Sequence, residues 1–343
     1  MSKNTYIIVD TNNMFFRARH SVMGDIDTKV GMAFHVLFSS LRKVWNEYGG
    51  THVIFATEGK SWRYKYSENY KIQRKLDKID KSPAEQEEDE IFMEALNELI
   101  EFIDKRTNCT VVNSPNAEAD DIIALWIQQH PDDNHVIVSS DSDFVQLLDD
   151  NVVVHDGVMG RTLKKDGVYN DKGQKVEFTV KSDSKIKTGK PNPNFVPERE
   201  DWYKYALFLK CIRGDKSDSI FSAYPGAKVK GSRNRVGINE AYEDKDTKGY
   251  NYNNFMLQRW TDHNGVEHRV GECYEKNRLL IDLTQQPEEI KKEIIEDINT
   301  QVSRKKVNGA GIHFLKFCKK WDLVQLSKYP NDIAKILNAS YQP

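Results

Sequence analysis

The chain reads as an α/β protein with an open, mostly parallel sheet flanked by helices, and three observations predict this. Short apolar runs at Tyr6 to Val9, His52 to Ala56 and His135 to Val138 have the length and near-continuous hydrophobicity of strands buried on both faces. Segments of helical pattern lie between them, at Gly31 to Trp45, Asp89 to Ile103 and Asp121 to Gln129, as crossover helices would. Each apolar run ends at or beside acids: Asp10, then Glu58 after Thr57, then S-S-D-S-D. In an open parallel sheet the functional crevice lies outside the carboxyl ends of the strands.

With 343 residues, 30% charged and 38% hydrophobic, the chain has material for one large domain or two in a soluble globular protein. No apolar stretch approaches the roughly 18 residues of a membrane span, and M-S-K-N-T runs straight into the first strand without room for a signal peptide. Cys109, Cys211, Cys273 and Cys318 form no C-x-x-C pair. A reduced, cytoplasmic location without membrane contact is expected. The net charge of -2 does not advertise a nucleic-acid partner, but lysines and arginines dominate residues 60 to 81, 161 to 190 and 228 to 235.

The stretch N-A-E-A-D-D-I-I-A, residues 116 to 124, places Glu118, Asp120 and Asp121 just before an apolar helix. One acid there is explained by the helix dipole, with Asn116 as the N-cap. Three repel one another. With Asp10, Asp141 and Asp143 they put at least six carboxylates on one rim, an arrangement that raises pKa values unless a cation neutralises it. Oxygen ligands select hard ions, Mg²⁺ or Mn²⁺, and no His or Cys spacing suits zinc. Glu118 is expected in the lead-in to the helix, with Asp120 and Asp121 aimed at different ions. Asp215 and Asp218, in C-I-R-G-D-K-S-D-S-I, add a second acidic element suited to a solvated turn or to an ion. Two metal ions about 4 Å apart are the usual apparatus for in-line phosphodiester cleavage.

V-D-T-N-N (9 to 13), E-G-K-S-W-R with E-N-Y-K-I-Q-R (58 to 63 and 68 to 74), N-A-E-A-D-D-I-I-A, V-S-S-D-S-D-F-V-Q-L (138 to 147) and G-D-K-S-D-S-I (214 to 220) together resemble the 5′ nuclease superfamily. Its members are flap endonucleases and 5′-3′ exonucleases with a PIN-like sheet, and the length looks most like the bacteriophage ribonuclease H branch. The resemblance implies that Asp10, Glu118, Asp120, Asp141 and Asp143 surround one Mg²⁺, while Asp121, Asp215 and Asp218 serve a second. It implies that Lys71 and Arg74, at the base of a helical arch, meet the scissile phosphate. Counting back seven from Arg63, where the family has an aspartate, gives Ala56, and Glu58 is taken as the replacement ligand. After Asp218 the family's glycine-rich duplex-binding loop is shifted and carries Lys228, Lys230, Arg233 and Arg235. Duplex contact is therefore expected to be side-chain driven and salt-sensitive, with the family's monovalent-ion site in doubt.

Trp62, Tyr64, Tyr66 and Tyr70 interleave with Arg63, Lys65 and Lys71, a mix suited to unpaired bases or, equally, to a core. From these readings Arg63 and Tyr70 join Lys71 and Arg74 as expected nucleic-acid contacts. Residues 1–200 are expected to form the nuclease domain, with the arch at about 59–90 and a basic insertion at about 151–199. Within that insertion D-G-V-Y-N-D-K-G-Q-K-V-E-F reads as a hairpin and K-T-G-K-P-N-P-N as a flexible stretch. Residues 201–343 are expected to hold a helix-loop-helix-like duplex-binding region with a C-terminal helical subdomain packed behind it.

The resemblance implies a monomeric 5′ nuclease acting on branched or nicked duplex DNA and RNA–DNA hybrid, with flap endonuclease, 5′-3′ exonuclease and ribonuclease H activities used for primer removal in replication. A phage single-stranded-DNA-binding protein is the partner this branch implies, which would place the protein in the host cytoplasm. A PIN-type single-strand endoribonuclease and a non-catalytic structure-specific DNA-binding protein remain as alternatives.

Overall fold

The computed structural model describes residues 3–19, 23–176, 199–328 and 330–342. Two compact units emerge, one of Met1–Trp62, Lys81–Val176 and Gln286–Pro343, the other of Arg63–Asp80 and Glu177–Gln285.

In the first unit the described residues form an eight-stranded sheet from β1 (Thr5–Asp10), β2 (His52–Thr57), β3 (Thr110–Asn113), β4 (Asn134–Val138), β5 (Val152–Asp156), β6 (Arg161–Lys164), β7 (Gly167–Asn170) and β8 (Lys175–Val176). Its order is β3-β2-β1-β4-β5-β6-β7-β8. The first five are parallel and the last three antiparallel. The expected hairpin is β7–β8, turning through Asp171–Gln174. The flexible stretch at 187–194, like the rest of 177–198, lies outside the described residues.

Helices α1 (Thr11–Arg19), α2 (Ile26–Tyr48), α3 (Ile72–Ile79), α4 (Pro83–Arg106) and α5 (Ala119–Gln129) fall between the strands in sequence. Downstream lie α6 (Trp202–Arg213), α7 (Ile238–Glu243), α8 (Tyr250–Leu257), the hairpin β9 (Arg259–Thr261) and β10 (Glu267–Arg269), α9 (Val270–Ile281), α10 (Glu288–Val302), α11 (Ala310–Lys320) and α12 (Pro330–Asn338). α2 is longer than its apolar periodicity because Asp25 caps it, accepting from Thr28 N at 2.9 Å, and Gly49 closes it in the left-handed region. α4 opens on a capping box, Ser82 with Glu85, with Pro83 in the first turn.

Strands β1 and β2 are buried along their whole length, and one core face carries Phe15, Phe34 and Phe38 against Phe92, Leu96 and Leu99 of α4. The C-terminal helices complete this core. Phe314 and Phe317 of α11 pack on Phe34, Phe38 and Phe102, and α10 lies against β3 and α5. Residues 286–343 thus group with the sheet and not with the 201–285 region as the sequence reading had them, because α11 and α12 supply the apolar face that covers α2 and α4.

In the second unit α6 packs on α7 and α9, with Phe208, Tyr242 and Tyr274 in ring contact. Asn277 ties α9 to the chain after α6, donating to the carbonyls of Cys211 and Phe221. Among the described residues no helix is long and apolar enough to cross a membrane.

Candidate metal centre and nucleic-acid interface

The order β3-β2-β1-β4 reverses direction between β1 and β4, since the chain steps from β1 to β2 and β3 and then returns to the far side of β1 for β4. A crevice opens at such a switch point, outside the carboxyl ends of the strands. The last residue of β1 is Asp10, and β4 ends at Val138, just before Ser139, Ser140 and Asp141.

Asp10 is buried, accepting from Ser139 Oγ at 2.9 Å and from Asn13 N at 3.4 Å. Burial first, then the charges of Glu58 and Asp141, push its carboxyl up to about 8. Those two acids therefore share its surroundings. Ser139 Oγ also accepts from Asp141 N at 3.0 Å, and Asp141 caps the next turn by accepting from Asp143 N at 3.0 Å. Asn13 Oδ1 accepts from both the backbone and the hydroxyl of Ser140. The S-S-D-S-D loop is thus tied to β1 by side chains that leave Asp141 exposed and Asp143 half-buried.

The second group comes from the entry to α5. Glu118 is the residue before the helix, in an extended conformation, so Asn116 is not the N-cap; its amide instead donates to both oxygens of Glu293 on α10 at 3.0 Å. Glu118 N donates to Asp121 Oδ2 at 3.2 Å, Ser61 Oγ to Glu118 Oε2 at 2.6 Å, and Trp62 Nε1 to Asp121 Oδ2 at 3.0 Å. One carboxylate oxygen from each of Glu118, Asp120 and Asp121 lies within 4.8 Å of the others. Glu118 stands in the lead-in to the helix as expected, and from there its carboxylate comes within reach of those of Asp120 and Asp121, which were expected to aim at different ions.

Glu58 follows β2, and its carboxylate accepts from Ala119 N at 3.3 Å, which brings it to the same helix entry. Gly59 is required beside it. A Cβ there would stand 1.9 Å from Ser114 O, where Gly59 N and Lys60 N pair with Ala117 O and Pro115 O.

The second unit holds the other predicted residues. Asp215 pairs with Lys210 at 2.6 Å, and although burial alone would raise its pKa, Lys210 and the Ser217 hydrogen bonds hold it well below the usual carboxylate range. Asp218 gathers the Y-K-I-Q-R segment: its carbonyl accepts from Lys71 N at 2.9 Å, and its carboxylate accepts from Tyr70 at 3.4 Å and from Arg74 at 2.6 Å. Lys71 sits in the left-handed region at φ 53, a strained backbone for a lysine. Lys228, Lys230, Arg233 and Arg235 are exposed.

Two expected nucleic-acid contacts are corrected by burial. Arg63 is 1% exposed and donates to Leu280 O at 2.8 Å, and Tyr70 is 2% exposed. Trp62 likewise serves Asp121 and not a stacked base. Tyr66 remains exposed, and the ammonium of Lys75 lies 4.1 Å above the Tyr64 ring. Sequence reasoning missed Ser61, Ser139 and Glu293, whose partners are distant in sequence, and Lys210, five residues before Asp215; the adjacency of Ser61, Ser139 and Lys210 to acidic motifs was the one signal.

A family model described as "5′-3′ exonuclease, N-terminal resolvase-like domain" matches residues 5–177. The 5′-3′ exonuclease of Mycoplasmopsis pulmonis is 24% identical over 233 residues, 67% of this chain and 65% of that protein. The flap endonuclease Xni of Pseudoalteromonas translucida is 33% identical over 121 residues, 34% of this chain and 42% of that one. The chain thus spans less than two thirds of the length of these relatives. Among solved structures, the T5 5′-exonuclease with bound zinc superposes with a TM-score of 0.56 at 18% identity, covering 87% of this chain and 99% of that one. The bacteriophage T5 flap endonuclease, in a complex with DNA and metal ions, gives 0.55 at 19% identity, covering 86% and 100%. This likeness establishes the PIN-like fold.

Proposed function

Because the chain belongs to the 5′-3′ exonuclease family, we propose that it is a structure-specific nuclease that hydrolyses phosphodiesters at the 5′ ends of flaps, nicks and RNA-primed duplexes. The observation that carries this reading is the convergence of carboxylates at the switch point of the sheet. Asp10 is pushed up to about 8 beside Glu58 and Asp141, and Glu118, Asp120 and Asp121 offer oxygens within 4.8 Å of one another. Such crowding of oxygen donors fits a hard divalent cation and is costly without one.

The carboxylates of Asp10, Glu58, Glu118, Asp120, Asp121, Asp141 and Asp143 are the ligands proposed in the first unit, with Asp215 and Asp218 in the second, for two Mg²⁺ that Mn²⁺ can replace. Bound there, such ions supply a water of lowered pKa and neutralise charge on the leaving 3′ oxygen. Lys71 and Arg74 offset the charge developing on the phosphoryl oxygens. Lys228, Lys230, Arg233 and Arg235 follow the duplex backbone. The water oxygen bonds to phosphorus as the bond to the 3′ oxygen breaks, leaving a 5′ phosphate and a 3′ hydroxyl. Ribonuclease H activity, primer removal in replication, a monomeric state and docking of a single-stranded-DNA-binding protein belong to the same reading.

A 5′-labelled flap, an RNA-primed duplex and single-stranded RNA, each with and without Mg²⁺, test it. Mg²⁺-dependent release from the first two is expected, and loss of it in Asp141→Asn/Asp143→Asn with duplex binding retained. Cleavage of single-stranded RNA alone would make the protein a PIN-type endoribonuclease; binding without cleavage would make it a non-catalytic DNA-binding protein.

A further inference from the structure

Arg213 is the last residue of α6, immediately before Gly214 and Asp215. Its Nε is buried and has no hydrogen-bond partner, and the phenol of Tyr205 on the same helix shares its surroundings. Asp215, two residues on, is committed to Lys210, and Asp201, Glu243 and Asp282 of the same unit are committed to Arg199 and Arg278. The carbonyl end of α6 compensates part of the Arg213 charge. A half-buried guanidinium without an anion still costs stability. Departures of this kind from local consistency concentrate at functional sites.

The neighbourhood indicates the anion. Tyr205 donates to Asn239 Oδ1 at 2.6 Å, and Asn239 N donates to Val229 O at 2.9 Å. Val229 stands between Lys228 and Lys230, both exposed, in the loop that also carries Arg233 and Arg235. The two glycine amides that flank that loop are already engaged, since Gly231 N and Gly237 N both donate to the Glu240 carboxylate at 2.9 to 3.1 Å. An anion arriving there meets side-chain cations.

We propose that Arg213 binds a phosphodiester of the duplex arm of the substrate, forming with Lys228 and Lys230 a phosphate-binding patch on the second unit. A guanidinium suits this because its planar fork reaches two phosphate oxygens at once. The assignment rests on the nuclease reading for the identity of the ligand, and on the unpaired guanidinium for the site.

The test is fluorescence anisotropy of a labelled nicked duplex in EDTA across a NaCl series, with thermal melting of the same proteins. Arg213→Met is expected to bind about tenfold more weakly, and the slope of log K against log salt is expected to shrink by about 0.9, one phosphate contact. Its melting temperature is expected to equal or exceed the wild type, because methionine removes the unpaired charge while keeping bulk. Arg213→Lys retains the charge and is expected to keep the wild-type slope with part of the affinity lost. Wild-type affinity and slope in Arg213→Met overturn the proposal. So does a fall in melting temperature in both variants with the slope unchanged, which marks a structural arginine. If the wild type binds duplex but cleaves no flap, the nuclease reading falls while the slopes still decide Arg213. Absence of duplex binding by the wild type overturns both.

Discussion

The indole N–H of Trp62 donates to Oδ2 of Asp121 at 3.0 Å, and that same oxygen accepts the backbone N–H of Glu118 at 3.2 Å. Both side chains are buried, so one orientation of a proposed metal ligand is held by a ring that cannot drift. Partners of this kind orient ligands, and their loss costs about 10- to 100-fold in metal affinity. Trp62→Phe keeps the ring and removes the donor. Half-maximal cleavage is expected to need at least tenfold more Mg²⁺, with a matching weakening of Mn²⁺ binding by calorimetry. An unchanged metal dependence would mean that Trp62 only packs.

Asp10 gives the metal-free protein a pH signature. Its folded pKa is raised to about 8 by burial and then by Glu58 and Asp141, against 3.8 for the ordinary group. The folded state therefore holds a proton that the unfolded chain has lost between those values. Stability from this group is full below about 4 and falls as pH rises through 8. In EDTA the melting temperature is expected to be lower at pH 8.5 than at pH 6, and Mg²⁺ is expected to raise it most at the higher pH, where the carboxylate is ready to bind. A melting temperature in EDTA that does not fall over this range would contradict the protonated Asp10.

The acids were legible because strand-end position follows from an apolar run that stops, and β1, β2 and β4 each stop at one. β3 was less visible: T-V-V-N is a four-residue strand with no length to reveal a period. Arg63 and Tyr70 were misplaced for another reason. Alternating aromatic and basic residues describe a stacking surface and a buried seam equally well, and only the packing that puts Arg63 on the Leu280 carbonyl decides. The C-terminal helices carried a helical pattern in sequence, but nothing local says which apolar face Phe314 and Phe317 would cover.

His135 should set an acid limit to stability. Both ring nitrogens are buried without a hydrogen-bond partner, and the ring lies 5.8 Å from that of Tyr6. Burial, then the neighbouring His130, lowers its pKa to about 4, with Asp133 opposing. From pH 6.5 downward the unfolded chain takes up a proton that the folded state refuses, so stability is complete above 6.5 and declines toward pH 4. The loss is about 3 kcal/mol for a shift of this size. His135→Phe is expected to match the wild type in urea at pH 7 and to exceed it at pH 4.5. A pH 4.5 deficit equal to the wild type's would assign the acid limb to other groups, such as His52.

Arg74 and Asp218 form an ion pair at 2.6 Å, so a guanidinium proposed for the scissile phosphate rests on a carboxylate proposed for a metal. The arginine is more than half exposed and the aspartate is not, so solvent surrounds the arginine side of the pair more than the aspartate side. With its arginine in solvent, the pair is worth about 1 kcal/mol, little enough for a phosphate to displace. The two roles are then coupled: while Arg74 holds Asp218, a cation competes with it for the same oxygen, and substrate arrival relieves the competition. Arg74→Gln is therefore expected to bind Mn²⁺ more tightly without DNA, by roughly two- to fivefold given that pair energy. It is also expected to cleave the flap at least tenfold more slowly, for want of charge at the phosphate. Tighter metal with slower cleavage is an unusual combination. Calorimetry without DNA and single-turnover cleavage with saturating Mg²⁺ measure the two halves separately, and metal binding that weakens together with cleavage would show that Arg74 supports Asp218 and does not compete for it.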